Sequence, residues 1–275
     1  MRPETQSQLA PFLRTLSRAP QAALLLDYDG TLAPFQVVRD HAYPYPGVAT
    51  LLNQIIRNGR TRVLIISGRE ATDVLRLLNI HPAPEVWGIH GMQRLKTDGS
   101  TQMPRFDEPT LGGLSDAGRW LGYQQVRQAA EFKTGSIAVH WRGLSETEAE
   151  DLRCRVLLGW RPIAKYSGLD LLHFDGGVEI RAPEADKGNA VRTILSEIGS
   201  DTPTAYLGDD TTDESAFRAI EARGIGVLVR PRWRQTAAQF WLKPPRDLLD
   251  FLGFWLKVRA GQSAFEGGAA AAVSG

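Results

Sequence analysis

Short uninterrupted apolar runs alternate with segments of helical periodicity in the first hundred residues. Residues 22–26 and 62–66 are two such runs, and residues 86–89 form a third. Runs of this length and composition are typical of buried parallel strands. Between the first two, apolar residues recur at helical spacing before Gly59, which favours a helix end: Val48, Leu51, Leu52, Ile55 and Ile56.

The same alternation returns from Asp186 to the end of the periodic sequence. It predicts helices over residues 190–198 and 212–223, strands over 204–207 and 225–229, and a closing helix that contains Leu248, Leu249, Leu252 and Trp255. Strands that alternate with helices indicate an α/β fold whose parallel sheet is covered on both faces.

The pattern differs between about Arg105 and Arg181. Strands are predicted at residues 136–141, 169–174 and 177–181, and helices near 115–130 and 147–158. This mixture indicates an inserted α+β domain. We therefore predict a core of residues 1–104 and 186–260 and an insert of residues 105–185. The low-complexity residues 261–275 are predicted to be a disordered tail.

The strongest chemical feature is the Asp27 motif, residues 27–31, which reads Asp-Tyr-Asp-Gly-Thr directly after the first apolar run. Ligands of parallel α/β sheets bind at the carboxyl ends of strands. Asp27 and Asp29 can point to one side there, and Gly30 allows a sharp turn close to an anion. An isolated pair of this kind would be explained by an Asx turn that caps local amides.

Three further segments lie at predicted strand ends or helix starts. They are Ser67-Gly68-Arg69, with Ser67 and Glu70 at capping-box spacing; Asp186-Lys187-Gly188; and the acidic segment, Gly208–Glu214. Taken singly, each has a plain explanation as a helix cap, an exposed lysine or a charged helix start. All of them fall on one edge of the predicted sheet. There they supply hydrogen-bond donors for a phosphoryl group and oxygen ligands for a hard cation such as Mg²⁺.

Charge and cysteine content limit the possible functions. The 275 residues carry 32 basic and 31 acidic side chains, a net charge of +1, so no basic excess favours a nucleic-acid partner. The single cysteine, Cys154, excludes an internal disulfide. The polar N-terminus is unlike a signal peptide, and no early apolar run is long enough for a membrane. We expect a cytoplasmic monomer with no membrane partner.

In these four segments the sequence resembles the haloacid-dehalogenase-like phosphatases, which carry them in this order. Over residues 20–255 it resembles, within that superfamily, the trehalose-6-phosphate phosphatases. The similar stretches are Leu24–Pro34, Ile65–Arg69, Gly88–Gly91, Glu131–Lys133, Ala138–Arg142, Val178–Pro183 and Gly208–Phe217. Two departures are Trp141, where the family usually has Tyr, and Tyr28, where an apolar residue is commoner.

The resemblance implies a magnesium-dependent phosphatase that acts on a sugar phosphate, trehalose 6-phosphate. Asp27 would attack phosphorus, and Asp29 would protonate the leaving oxygen and then activate water. For that role Asp29 must start protonated, so its pKa is predicted to be raised.

The resemblance also implies the remaining site residues. The metal residues would be Asp27, Asp29 through its backbone carbonyl, Asp209 and Asp213, the last as a supporting residue. The phosphate-binding residues would be Thr31, Ser67, Gly68 and Lys187. A Rossmann-like core would carry a mobile cap that closes over the disaccharide, with sugar contacts from Arg69, Glu131, Lys133, His140 and Glu179.

The sequence leaves other functions open. The same chemistry could serve mannosyl-3-phosphoglycerate, sucrose 6-phosphate or a hexose phosphate, because only the insert distinguishes these substrates. A phosphomutase would need to retain the phosphoryl group, and nothing in the sequence indicates that. A non-catalytic sugar-phosphate sensor is disfavoured by intact Asp27, Asp29, Lys187 and Asp209.

Overall fold

The computed structural model describes residues 3–261 except Val37, Pro104, Asp175 and Glu184. It divides into two compact units. The core unit comprises the residues up to Gln102 and those from Lys187 onward, and the inserted unit is Met103–Asp186. The tail predicted for residues 261–275 lies, beyond Gly261, outside the described residues.

Strands and helices alternate along the core unit. The strands of the described chain are β1 (Ala22–Leu26), β2 (Thr61–Ile66), β3 (Glu85–Gly88), β4 (Gln93–Leu95), β5 (Thr101–Gln102), β6 (Ala130–Lys133), β7 (Ser136–His140), β8 (Asp170–Phe174), β9 (Gly177–Arg181), β10 (Thr204–Gly208), β11 (Gly224–Val229) and β12 (Phe240–Leu242). The α-helices are α1 (Pro3–Arg18), α2 (Val48–Arg57), α3 (Ala71–Leu78), α4 (Glu108–Tyr123), α5 (Glu146–Ser167), α6 (Lys187–Glu197), α7 (Glu214–Ile220) and α8 (Arg246–Arg259). Among the residues that the structure describes, no helix is both long enough and apolar enough to cross a membrane.

The sheet of the core unit has the strand order β12-β11-β10-β1-β2-β3-β4-β5. Neighbours from β12 to β3 pair in parallel, and β4 and β5 add an antiparallel edge. The carboxyl ends of β10, β1, β2 and β3 therefore lie side by side. This order brings segments that are far apart in sequence to one edge of the sheet.

Helices cover both faces of this sheet, as predicted for an α/β fold. Leu24 and Leu26 of β1 face the layer of α1, α2, α3 and α8, whereas Ala23 and Leu25 face α6 and α7. Successive side chains of a strand point to opposite faces, so an entirely apolar β1 can serve both layers.

The inserted unit is an antiparallel sheet of order β6-β7-β9-β8 with α4 and α5 packed on one face. Ile137 and Val139 of β7 meet Trp160 of α5 in this core. The start of α5 carries a capping box between Ser145 and Glu148. The prediction of an α+β insert is confirmed.

Some local predictions are wrong. The capping box proposed for Ser67 and Glu70 does not form, because α3 begins at Ala71 and Glu70 makes no side-chain cap bond. Ser67 is instead held at the sheet edge by donating its amide to Trp87 O at 2.8 Å. The helix predicted over 212–223 is shortened to α7, after a 3₁₀ turn. Helix α1 was absent from the predicted elements.

A buried arginine ties the ends of several elements together. Arg259 in α8 is 1% exposed, and its guanidinium donates to the carbonyls of Leu16 (2.6 Å), Ala19 (2.7 Å), Pro20 (2.9 Å) and Arg60 (2.6 Å). Among these acceptors are carbonyls at the end of α1, which have no partner within the helix. Burial lowers the pKa of Arg259, and the nearby Arg60 charge lowers it further.

Replacing Arg259 with methionine is expected to lower the free energy of unfolding by about 3 kcal/mol. Leu16 O and Pro20 O would lose the Arg259 donor, whereas Ala19 O keeps a contact from Arg60 Nη2 at 3.3 Å and Arg60 O keeps the Ala22 amide at 3.1 Å. A buried polar group without a partner costs about 1–3 kcal/mol. Urea unfolding followed by circular dichroism measures the change. Arg246→Met, at an exposed position that starts the same helix, is the matched control. An equal loss in both variants would contradict the role of the carbonyl contacts.

Candidate active site

The structure brings the four predicted segments together at the carboxyl edge of the core sheet. Asp27 follows β1, Ser67 follows β2 and Asp209 follows β10, and these three strands are neighbours. Lys187 is the first residue of α6. Its ammonium reaches Asp27 across 160 positions of sequence.

The Asp27 carboxylate is buried and receives two hydrogen bonds. Lys187 Nζ donates to its Oδ1 at 2.6 Å, and Thr31 Oγ1 donates to its Oδ2 at 3.0 Å. Only 3% of the surface of Asp27 is exposed to solvent. Burial outweighs the Lys187 charge and raises the pKa of Asp27 to about 7.

Asp213 anchors Lys187 and the acidic segment. Its Oδ1 accepts from Lys187 Nζ at 2.8 Å and from Tyr206 OH at 2.6 Å. Its Oδ2 accepts from the amides of Asp209 and Asp210, each at 2.9 Å. Burial alone would raise the pKa of Asp213, but the Lys187 charge and these hydrogen bonds hold it below its ordinary value. Both oxygens are thus already occupied by donors, which suits a supporting position.

The Asp209 carboxylate completes a cluster of buried acids. Oxygens of Asp27, Asp209 and Asp213 lie within 4.8 Å of one another. Burial, followed by repulsion from Asp27 and Asp213, raises the pKa of Asp209 well above its ordinary value. Gly30 has φ +83°, and a Cβ there would stand 2.2 Å from Asp209 Oδ2. Glycine is therefore needed for the backbone to lie against this carboxylate.

This donor set fits a divalent cation. Asp27 and Asp209 are buried like charges, and a cation between them would favour both ionised forms. Among the described residues no donor to the Asp209 carboxylate is found, in contrast to Asp213. Hard cations such as Mg²⁺ prefer carboxylate and carbonyl oxygens. The residues predicted to hold Mg²⁺ therefore have the chemistry that this ion needs.

Asp29 and Arg69 form a two-pronged ion pair. Arg69 Nε donates to Asp29 Oδ2 and Nη2 donates to Oδ1, both at 2.6 Å. The Tyr28 ring lies beside the same guanidinium, 5.8 Å from ring centre to Cζ. Arg69, predicted as a sugar contact, thus lies against Asp29. To protonate a leaving group Asp29 must first lose this pairing, since a guanidinium can only donate.

The segment after β2 is fixed by a neighbouring turn. Ser67 is fully buried, its Oγ accepts from the Arg69 amide at 3.1 Å, and its carbonyl accepts from the His90 amide at 2.8 Å. A Cβ on Gly68 would lie 2.6 Å from His90 Cε1. Ile89 and His90 both have positive φ, 51° and 54°. Strained backbone of this kind tends to occur at functional sites.

Two residues beside the site, Tyr206 and His90, were not predicted from the sequence. Tyr206 lies inside β10 and was predicted only as part of an apolar strand, yet its hydroxyl reaches Asp213. His90 belongs to a stretch that resembles the family, but no role was assigned to it. The available sequence signal was the pair of glycines, Gly88 and Gly91, that flank Ile89 and His90 and favour a tight turn there.

The other predicted sugar contacts gather in the inserted unit. Glu131, Lys133, His140 and Glu179 lie on the sheet face opposite the α4 and α5 core, because they alternate with the core residues along β6, β7 and β9. Lys133 Nζ lies 3.6 Å from Glu131 Oε2 and 3.5 Å from Glu179 Oε1. His140 Nε2 lies 3.3 Å from Glu131 Oε2. This polar face has donors and acceptors suited to hydroxyl groups.

The parallel core sheet, its acid cluster and the α+β insert define a haloacid-dehalogenase-like phosphatase fold with a cap domain. A haloacid dehalogenase-like hydrolase from Bacteroides thetaiotaomicron is similar, with a TM-score of 0.60 at 13% identity over 85% of this chain and 98% of that chain. The family model described as trehalose-phosphatase matches residues 25–244. The chain belongs to the trehalose-phosphatase family, which confirms the resemblance found in the sequence.

The chain is also similar to individual curated proteins and to further solved structures. The chain is 28% identical to the trehalose-phosphate phosphatase of Mycobacterium marinum, over 90% of this chain and 66% of the relative. It is 30% identical to a Mycobacterium tuberculosis protein described as an uncharacterized glycosyl hydrolase, over 87% of this chain and 18% of that protein. It thus spans less than two thirds of either relative. The trehalose-6-phosphate phosphatase structure from Aspergillus fumigatus has a TM-score of 0.67 at 23% identity, over 90% and 97% of the two chains.

Proposed function

We propose that this protein hydrolyses trehalose 6-phosphate to trehalose and phosphate, with Mg²⁺ as cofactor and Asp27 as the nucleophile. The observation that carries the proposal is the buried Asp27 carboxylate, 2.6 Å from Lys187 Nζ and beside Asp209 at the sheet edge. Family membership and named relatives support the substrate.

The first step forms a bond between an Asp27 oxygen and phosphorus and breaks the bond to the sugar oxygen. A phosphate dianion and a carboxylate repel each other, so the charge must first be offset. When bound by Asp27, Asp209 and the Asp29 carbonyl, Mg²⁺ would act as a Lewis acid on phosphoryl oxygens. Lys187 holds the attacking carboxylate in place, and Ser67, Gly68 and Thr31 are our candidates for the remaining phosphoryl contacts.

Asp29 acts first as a general acid for the leaving group and then as a general base for the attacking water. It donates a proton to the sugar oxygen, and in the second step it takes a proton from the water that attacks the aspartyl phosphate. Arg69 must release Asp29 before the first transfer. Its guanidinium is then available for the substrate's phosphate or hydroxyl groups.

Asp29→Ala is expected to trap the aspartyl phosphate. The variant lacks both the acid of the first step and the base of the second, and we expect the second step to be slowed more, so that the intermediate on Asp27 forms faster than it is hydrolysed and accumulates. Intact-protein mass spectrometry after incubation with trehalose 6-phosphate would detect the mass of one added phosphoryl group. Asp29→Ala combined with Asp27→Asn is the control that must show no adduct. Failure of the single variant to accumulate it would count against the acid/base role.

The substrate assignment is tested by a panel. Phosphate release is measured from trehalose 6-phosphate, sucrose 6-phosphate, mannosyl-3-phosphoglycerate and glucose 6-phosphate, each with Mg²⁺ and with a chelator. We expect the highest kcat/KM with trehalose 6-phosphate, and no turnover without the metal. A higher kcat/KM with another sugar phosphate would transfer the assignment to that substrate.

The polar face of the inserted unit is expected to decide KM for the sugar. We predict that Glu131→Gln raises KM for trehalose 6-phosphate about tenfold, because one charge-assisted hydroxyl contact is worth roughly 1.5 kcal/mol or more. Hydrolysis of p-nitrophenyl phosphate, which carries no sugar, should change little. Glu150→Gln, at an exposed position of α5, is the matched control. Equal losses on both substrates would contradict a sugar contact.

A further inference from the structure

Two arginines from the segment between β11 and β12 hold the backbone of the acidic segment. Arg234 Nε donates to Asp209 O at 3.3 Å, and its Nη2 donates to Asp210 O at 2.6 Å. Arg230 Nη1 adds a longer contact to Asp209 O at 3.4 Å. The planar guanidinium of Arg234 therefore spans two successive carbonyls.

Arg234 is itself fixed in place. Its Nη1 forms an ion pair with Glu214 Oε1 and donates to Gln235 O at 2.9 Å. Glu214 Oε2 accepts the amide of Ala237 at 2.8 Å, which ties the start of α7 to the same segment. The fork of Arg234 is thus oriented by a half-buried carboxylate.

The carbonyl contacts complement the amide contacts made by Asp213. Asp213 Oδ2 accepts hydrogen bonds from the N–H groups of Asp209 and Asp210, whereas Arg234 donates hydrogen bonds to their C=O groups. With both sides of the backbone held, the direction of the Asp209 Cα–Cβ bond is set. That direction places the carboxylate against Gly30 and close to Asp27.

We propose that Arg234 is a positioning residue for the cation site, acting through the backbone of Asp209 and Asp210. The inference rests on the proposed Mg²⁺ site and adds a residue that touches neither the cation nor the substrate. Residues that orient metal ligands typically change metal affinity about 10- to 100-fold when they are replaced. Lysine would not replace the fork, because its single ammonium cannot span both carbonyls in one plane.

The test measures Mg²⁺ binding alone, with no substrate, by isothermal titration calorimetry on the chelator-treated 275-residue chain. We expect Arg234→Gln to weaken Mg²⁺ binding about 10- to 100-fold, and Arg234→Lys to weaken it as well. Arg223→Gln is the matched control. Arg223 also donates to three carbonyls, those of Leu195, Ile198 and Gly199, but it precedes β11 and lies at the opposite edge of the sheet.

The proposal is overturned if Arg234→Gln binds Mg²⁺ as tightly as the unchanged protein, or if Arg223→Gln weakens binding equally. Should Arg234→Gln fail to fold, Arg234→Lys carries the same comparison. In turnover assays, raising Mg²⁺ should restore kcat in the Arg234 variants, which a general loss of structure would not allow. Since binding is measured without substrate, failure of the unchanged protein to hydrolyse trehalose 6-phosphate would refute the proposed function and leave this test intact.

Discussion

Asp27→Asn is expected to reduce the turnover of trehalose 6-phosphate by about 10⁴-fold or more, the order of loss seen when a nucleophile is removed. Asparagine keeps the size of the side chain and can still accept a hydrogen bond from Thr31. It lacks the negative charge that attacks phosphorus and that binds both Lys187 and the cation. Phosphate release at saturating Mg²⁺ measures the effect, and circular dichroism verifies the fold.

The matched control for this substitution is Asp40→Asn. Asp40 lies in the core unit and forms a surface ion pair with Arg76, with 71% of its side chain exposed. Its replacement should leave turnover within about twofold, since this exposed side chain pairs with Arg76 and not with a residue of the site. The free energy of unfolding should change by no more than about 0.5 kcal/mol. Metal-dependent turnover that survives in Asp27→Asn would end the nucleophile assignment.

Lys187→Met is expected to lower both stability and turnover. Lys187 is 3% exposed and contacts Asp27 and Asp213, and their charges raise its pKa although burial alone would lower it. Removing one partner from a buried ion pair leaves an uncompensated charge and costs roughly 3–5 kcal/mol. Turnover should fall as well, because the attacking carboxylate loses the group that holds it.

Urea unfolding in the presence of a chelator measures the stability of this variant, and a second titration with Mg²⁺ tests whether the cation offsets the missing charge. We expect partial recovery with Mg²⁺, since the ion neutralises Asp27 and Asp209. Lys257→Met, at an exposed position of α8, should leave the free energy of unfolding within about 0.5 kcal/mol. Unchanged stability in Lys187→Met would show that the three acids do not depend on this ammonium.

Much of the fold could be predicted because buried parallel strands have a simple sequence pattern. β1 was predicted with its observed bounds, and β2, β10 and β11 within one residue, since each is a short apolar run that serves two helical layers. The missed α1 has Leu9, Leu13 and Leu16 at helical spacing, so a helical signal was present, but only the polar residues 1–10 at its start were considered. Short edge strands such as β5 and β12 have too few residues for any periodicity.

The sequence by itself determined which groups meet at the sheet edge. In a parallel sheet every strand ends at the same edge, so acids placed after β1 and β10 and a serine after β2 must share that edge. Their closeness follows from the strand order β10-β1-β2, which the tertiary structure supplies. It could not determine how they pair. The Arg69 contact with Asp29, the Tyr206 contact with Asp213 and the Arg234 contacts with the acidic segment join residues from separate elements. Only the tertiary structure decided those partners, because hydrogen-bond geometry depends on the packing of side chains rather than on their spacing along the chain.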